Sequence, residues 1–108
     1  MFFYRSIETQ QPVELVITPS TATINAGSSV FFSVQALNVP EGEGFTAIAS
    51  IGNPGFSIDN PNLIFFGDPL TAGFTLSYSG FLDLTDTLVV SGSGVQLEIE
   101  IEGRGFPA

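Results

Sequence analysis

Eleven carboxylates, a scatter of hydroxyls and two guanidiniums, Arg5 and Arg104, are the side chains in this sequence with acid, base or nucleophilic potential. His, Cys, Lys and Trp are absent. General acid–base catalysis draws on His, Asp/Glu or Lys, and covalent catalysis on a Ser, Cys or Lys activated by a neighbouring base. The usual ligands of zinc, haem and iron–sulfur clusters are missing as well. The expectation is a protein that binds or builds, uses no cofactor and is not an enzyme.

Two carboxylate arrangements remain to be weighed. Asp83 and Asp86 flank Leu84-Thr85, and Asp59 and Asp68 sit in two other turns. Calcium takes six to eight oxygens, so Asp83 and Asp86 are the metal candidates. No D-x-[DN]-x-[DN]-G pattern accompanies them, and Asp is common in turns because it caps the local backbone. Turn chemistry and no metal is therefore the expected reading. A two-carboxylate glycosidase can be drawn with any such pair, but nothing resembles a sugar cleft.

In Leu97-Glu98-Ile99-Glu100-Ile101-Glu102 the alternation is strict, which puts Glu98, Glu100 and Glu102 on one strand face, roughly 7 Å apart. A solvated acidic face over an apolar underside is the plain reading. A face for a basic partner, or charge that discourages edge pairing, are the others. With two cations in the chain, compensation for this row is expected from outside.

The net charge of −9 disfavours nucleic acid, whose phosphates need Lys and Arg, and disfavours anionic membranes for the same reason. No apolar run has the length of a membrane span, so no membrane insertion is expected. Met1-Phe2-Phe3-Tyr4 is apolar, but Arg5 follows at once and no secretory signal is read there. Charged residues make up 12%, about half the usual share. Such a surface suits a protein packed against copies or partners.

These residues need strands to hold them. The runs Val13–Ile17, Ser29–Leu37, Phe45–Ile51, Phe56–Ile58, Leu63–Phe66, Gly73–Ser79, Thr85–Val90 and Val95–Glu102 are rich in Phe, Val, Ile and Leu, with Gly, Pro, Asn and Asp between them. No window carries a helical period. Short strands every 8–12 residues predict an all-β, single-domain antiparallel β-sandwich of seven to eight strands. Its core is expected from Val30, Phe32, Val34, Ile48, Phe74, Leu76, Leu88, Val90, Leu97, Ile99 and Ile101.

Phe31-Phe32 and Phe65-Phe66 each place one ring on either face of a strand. One ring enters the core and the other must be covered by something else. Residues 1–12 stand apart as an N-terminal arm before the domain at 13–108. Phe2, Phe3, Tyr4 and Arg5 are its expected partner-binding residues.

The phrase Val13-Glu14-Leu15-Val16-Ile17-Thr18-Pro19-Ser20, with Thr23-Ile24-Asn25-Ala26-Gly27-Ser28-Ser29-Val30-Phe31-Phe32 after it, resembles the opening of bacterial immunoglobulin-like domains. Asp86 to Val95, then Ile99 to Gly105, is similar to their closing hairpin. Such modules occur in bacterial surface proteins and on tailed-phage virions, so the resemblance implies adhesion or assembly and supplies no catalytic residue. The function expected is a structural subunit, held among other protein subunits as a homo- or hetero-assembly. A capsid-decorating or tail-associated virion protein comes first. The alternatives are an extracellular or cell-surface adhesion or glycan/protein-binding module, and an extracellular filament subunit.

Overall fold

The computed structural model describes residues 12–106. The arm residues Phe2, Phe3, Tyr4 and Arg5 lie outside them. The described residues form nine strands and no helix: β1 (Glu14–Thr18), β2 (Ala22–Asn25), β3 (Ser28–Leu37), β4 (Phe45–Ile51), β5 (Phe56–Ile58), β6 (Asn62–Phe65), β7 (Leu70–Tyr78), β8 (Leu84–Gly92) and β9 (Val95–Arg104). One sheet has the order β1-β3-β7-β5, the other β2-β9-β8-β4-β6. The protein is a β-sandwich.

Alternation builds the core from both sheets. Phe32, Val34, Phe74, Leu76 and Tyr78 point inward from β3 and β7, and Phe45, Leu63, Phe65, Leu88, Val90 and Ile101 from the opposing sheet. Phe32 stacks on Phe74 with ring centroids 5.4 Å apart, and Phe45 meets Phe65 edge-on at 5.2 Å. Both geometries suit the aromatic quadrupole. The β8–β9 hairpin closes through Ser93 and Gly94, with φ of 50° and 80°. Positive φ at both central residues is the type I′ turn that matches strand twist.

Three expectations need correction. Ile48 is not core: it is 57% exposed, because β4 turns Phe45, Ala47 and Ala49 inward. The run Phe45–Ile51 has apolar residues on both faces, so its composition does not fix the inward side. Val30, Leu97 and Ile99 are only half-buried. β2 pairs with β9 only from Ile101 to Arg104, which leaves the first half of β9 as a sheet edge. That β2–β9 pair is also parallel, and β2 is a ninth strand beyond the seven or eight expected. Ala22–Asn25 carries one fully buried apolar side chain, Ile24, too little periodicity to stand out.

Candidate interaction surface

The aromatic doublets divide as alternation requires: Phe32 and Phe65 are buried, Phe31 and Phe66 are 63% and 72% exposed. Although they come from different sheets, the two outward rings converge. With Ile64, 67% exposed, they line a groove of about 340 Å³ floored by Ser33, Gly73 and Thr71.

Backbone geometry opens this groove. After β6 the chain turns through Gly67, at φ 94°, and Phe66 and Thr71 exchange two backbone hydrogen bonds of 3.1 and 3.0 Å. Two strand positions beyond Gly73, Thr75 donates its N–H to the Asp59 carboxylate at 2.7 Å, and its carbonyl accepts the Asp59 N–H at 3.1 Å. By strand alternation Gly73, between Thr71 and Thr75, presents its N–H and C=O on the same side. There the register gives it no ladder partner: β5 pairs only with Leu76–Tyr78. The floor of the groove is thus one open step of sheet edge beneath aromatic walls.

Other apolar surface is split in two. Ile48 and Ile64 border a second hollow of about 330 Å³ on the β4–β6 face, so Ile64 is a ridge shared by both hollows. Phe81, Leu82 and Phe106 form a separate cluster, with the Phe81 and Phe106 rings 5.5 Å apart.

The acidic row is placed outward. Glu98 and Glu100 are exposed and Glu102 is half-buried. Part of its compensation is internal, contrary to expectation. Arg104, next on the same face, pairs with Glu102 at 3.1 Å, and Thr23 donates its hydroxyl to Glu102 at 3.2 Å. Both partners sit where β2 joins β9, a parallel contact that sequence spacing does not announce.

The calcium candidates do not come together as a cation cage. Asp83 accepts the Gly105 N–H at 2.8 Å. Asp86 accepts the Asn53 N–H at 2.6 Å and the Thr87 N–H at 2.7 Å. Both carboxylates accept from backbone donors, but the Asp83–Gly105 and Asp86–Asn53 bonds join segments distant in sequence instead of capping the local turn. Among the described residues no group of three carboxylates is gathered in metal-binding geometry.

Sequence reasoning missed Ile64 and Gly73 as surface features. Leu63–Phe66 is four apolar residues in a row, which hides the outward pair. Gly73, read as the start of a strand, stands inside one; a lone Gly before an alternating run signals close approach of another group.

No family model matches this sequence, and no curated protein matches it. Solved structures are similar in fold. Domains 4 and 5 of the S-layer protein SbsC superpose with a TM-score of 0.59 at 11% identity, over 87% of this chain and 53% of that one. Domains 1–6 of the surface layer protein SbsC give 0.67 at 9% identity, over 90% and 14%. WR4, a C. elegans MSP family member, gives 0.65 at 9%, over 85% and 97%. The chain therefore spans about half the length of one SbsC fragment and a seventh of the other.

Proposed function

We propose that this chain is a non-catalytic, immunoglobulin-like module of a surface-exposed protein assembly, working through contacts with other protein subunits. The observation that carries this reading is the convergence of Phe31, Ile64 and Phe66 on one groove. Contiguous exposed apolar surface of this kind marks interaction sites in soluble proteins. The shortage of catalytic side chains supports the same reading, as does the likeness to surface-layer domains, although a likeness at this identity speaks for the fold alone. We therefore put a cell-surface or extracellular module ahead of the virion component that the sequence placed first.

The test is where the protein resides and in what state. Antibody labelling of intact producing cells, followed by cross-linking, should give surface signal and cross-linked species above the monomer mass. A cytosolic monomer overturns the proposal. Co-sedimentation with phage particles, without surface signal, restores the virion reading.

A further inference from the structure

We propose that the Phe31–Ile64–Phe66 groove receives residues 1–11 of a second copy of this chain, laid as an extended segment along the open Gly73 step of β7. This rests on the reading of the protein as an assembly module.

The groove offers what an extended peptide uses. Main-chain hydrogen bonds at a free sheet edge, flanked by pockets for alternate side chains, are the basis of strand addition. Gly73 supplies one unpaired N–H and C=O, and the exposed Phe31, Ile64 and Phe66 supply apolar walls.

The segment before Pro12 has the matching chemistry. Phe2, Phe3 and Tyr4 are consecutive and Arg5 follows. In an extended chain Phe2 and Tyr4 share one face, roughly 7 Å apart, and Phe3 and Arg5 share the other. Charge agrees as well. Asp59, exposed and next to Asn60 of the groove wall, is the carboxylate beside the groove and accepts the Thr75 N–H at 2.7 Å, whereas Asp68 lines a separate hollow with Glu41 and Glu43. The other cation, Arg104, is already paired with Glu102.

Geometry favours a second copy over the chain's own segment. The Asn38 side chain donates to the Pro12 carbonyl at 3.1 Å, and Glu14 enters β1 opposite Leu37. The groove lies back along β3, at Ser33 and Phe31, about 17–23 Å away at ~3.3 Å per residue. To reach it in the same molecule the chain must reverse just before Pro12. A residue preceding proline is pushed to extended backbone, which opposes that reversal at Gln11. The outward course that this proposal assigns to residues 1–11 leads to a neighbour instead. A contact between one surface on one copy and a different surface on the next is heterologous and propagates as a ring or filament.

The experiment uses two full-length variants. Phe66→Ser removes a groove wall; the triple change Phe2→Ser, Phe3→Ser, Tyr4→Ser removes the aromatic segment. Sedimentation velocity should show the parent chain associating with rising concentration. Each variant alone should need at least tenfold higher concentration to associate, with unchanged urea midpoints showing that the fold is kept. Mixed together, one contributes an intact groove and the other an intact segment, so 1:1 dimers that grow no further are expected. A mixture that stays monomeric while the parent associates overturns the proposal in favour of the chain's own segment or another face. Association of either variant at the parent's concentration overturns it as well. A parent chain that never self-associates, yet is cross-linked to other proteins at the cell surface, defeats this proposal and leaves the module reading intact; a cytosolic location defeats that reading instead.

Discussion

The ring of Phe31 lies against the backbone of Gly73: a Cβ at residue 73 would stand 2.9 Å from Phe31 Cε1 and closer still to Cζ. Only glycine leaves that space. The ring covers part of a β7 step that has no ladder partner, and its other side faces solvent.

Gly73→Ala should therefore evict Phe31 from its place while sparing the fold. Alanine in a strand gains about 0.5–1 kcal/mol over glycine in backbone entropy. That gain offsets the packing given up when a ring already 63% exposed swings away from the sheet. The urea midpoint is expected to correspond to a change within about 1 kcal/mol, close to the range of a tolerated surface substitution. The Phe31 ring resonances should shift strongly. A collapse in stability would mean that the ring holds the two sheets together.

A buried ring and an outward ring give the contrast. Phe74 is 1% exposed and stacked on Phe32, so Phe74→Ala should cost about 3–5 kcal/mol, from the transfer energy of the ring and the cavity left behind. Phe66→Ala, at a position 72% exposed, should cost under about 1 kcal/mol. Chemical denaturation of the two variants side by side measures the difference. Equal losses would place Phe66 in a structural role.

Asp86 of β8 accepts the Asn53 N–H, which joins the turn at Asn53 to the strand, and also the N–H of its own neighbour Thr87. Asp86→Ala strips both at once. Hydrogen bonds to a charged group contribute about 1.5–3 kcal/mol each to stability when buried, and less when water can replace the partner. With Asp86 partly open to water, a loss of about 1–2 kcal/mol is expected. Calcium at millimolar concentration should leave the parent's thermal midpoint unmoved, since this carboxylate and that of Asp83 are held by backbone donors. A rise in the midpoint with calcium would reinstate the metal site.

Much of this architecture was legible because alternation is a local property. Phe32 and Val34, or Phe74, Leu76 and Tyr78, declare their inward face within a few residues. What alternation does not carry is partnership across the chain. The parallel contact of β2 with β9 brings Thr23 to Glu102, far apart in sequence, and so changes the surroundings of the acidic row. Ile48 shows a different limit. Phe45–Ile51 has apolar side chains on both faces, and the alanines rather than the isoleucine turn inward, Ala47 opposite Leu63 of β6 and Ala49 opposite Val90 of β8. The groove was half legible: both doublets predicted an outward ring, but nothing local indicated that Phe31 and Phe66 would line one groove.

The acidic row supplies the last prediction. Glu100 is exposed, stands between Glu98 and Glu102 on the same face, and faces Thr87 across the β8–β9 ladder. Its backbone carbonyl accepts from Thr21, a bond that a side-chain change leaves in place. Glu102 already has Arg104, whereas among the described residues the Glu98 carboxylate accepts from the neutral Gln96 amide at 2.6 Å. A cation at position 100 would therefore act mainly on Glu98. Glu100→Lys should stabilise by about 0.2–1 kcal/mol, the range for an exposed pair of opposite charges. Glu100→Gln, which removes repulsion and adds no attraction, should fall between the parent and the lysine variant. The gain must be electrostatic, so it should shrink as salt rises from about 10 mM to 1 M and the screening length falls from about 30 to 3 Å. Urea midpoints for the three chains at both salt concentrations decide the matter. A lysine variant no more stable than the parent at low salt would show that water already screens the row, and that its three charges do not strain the fold.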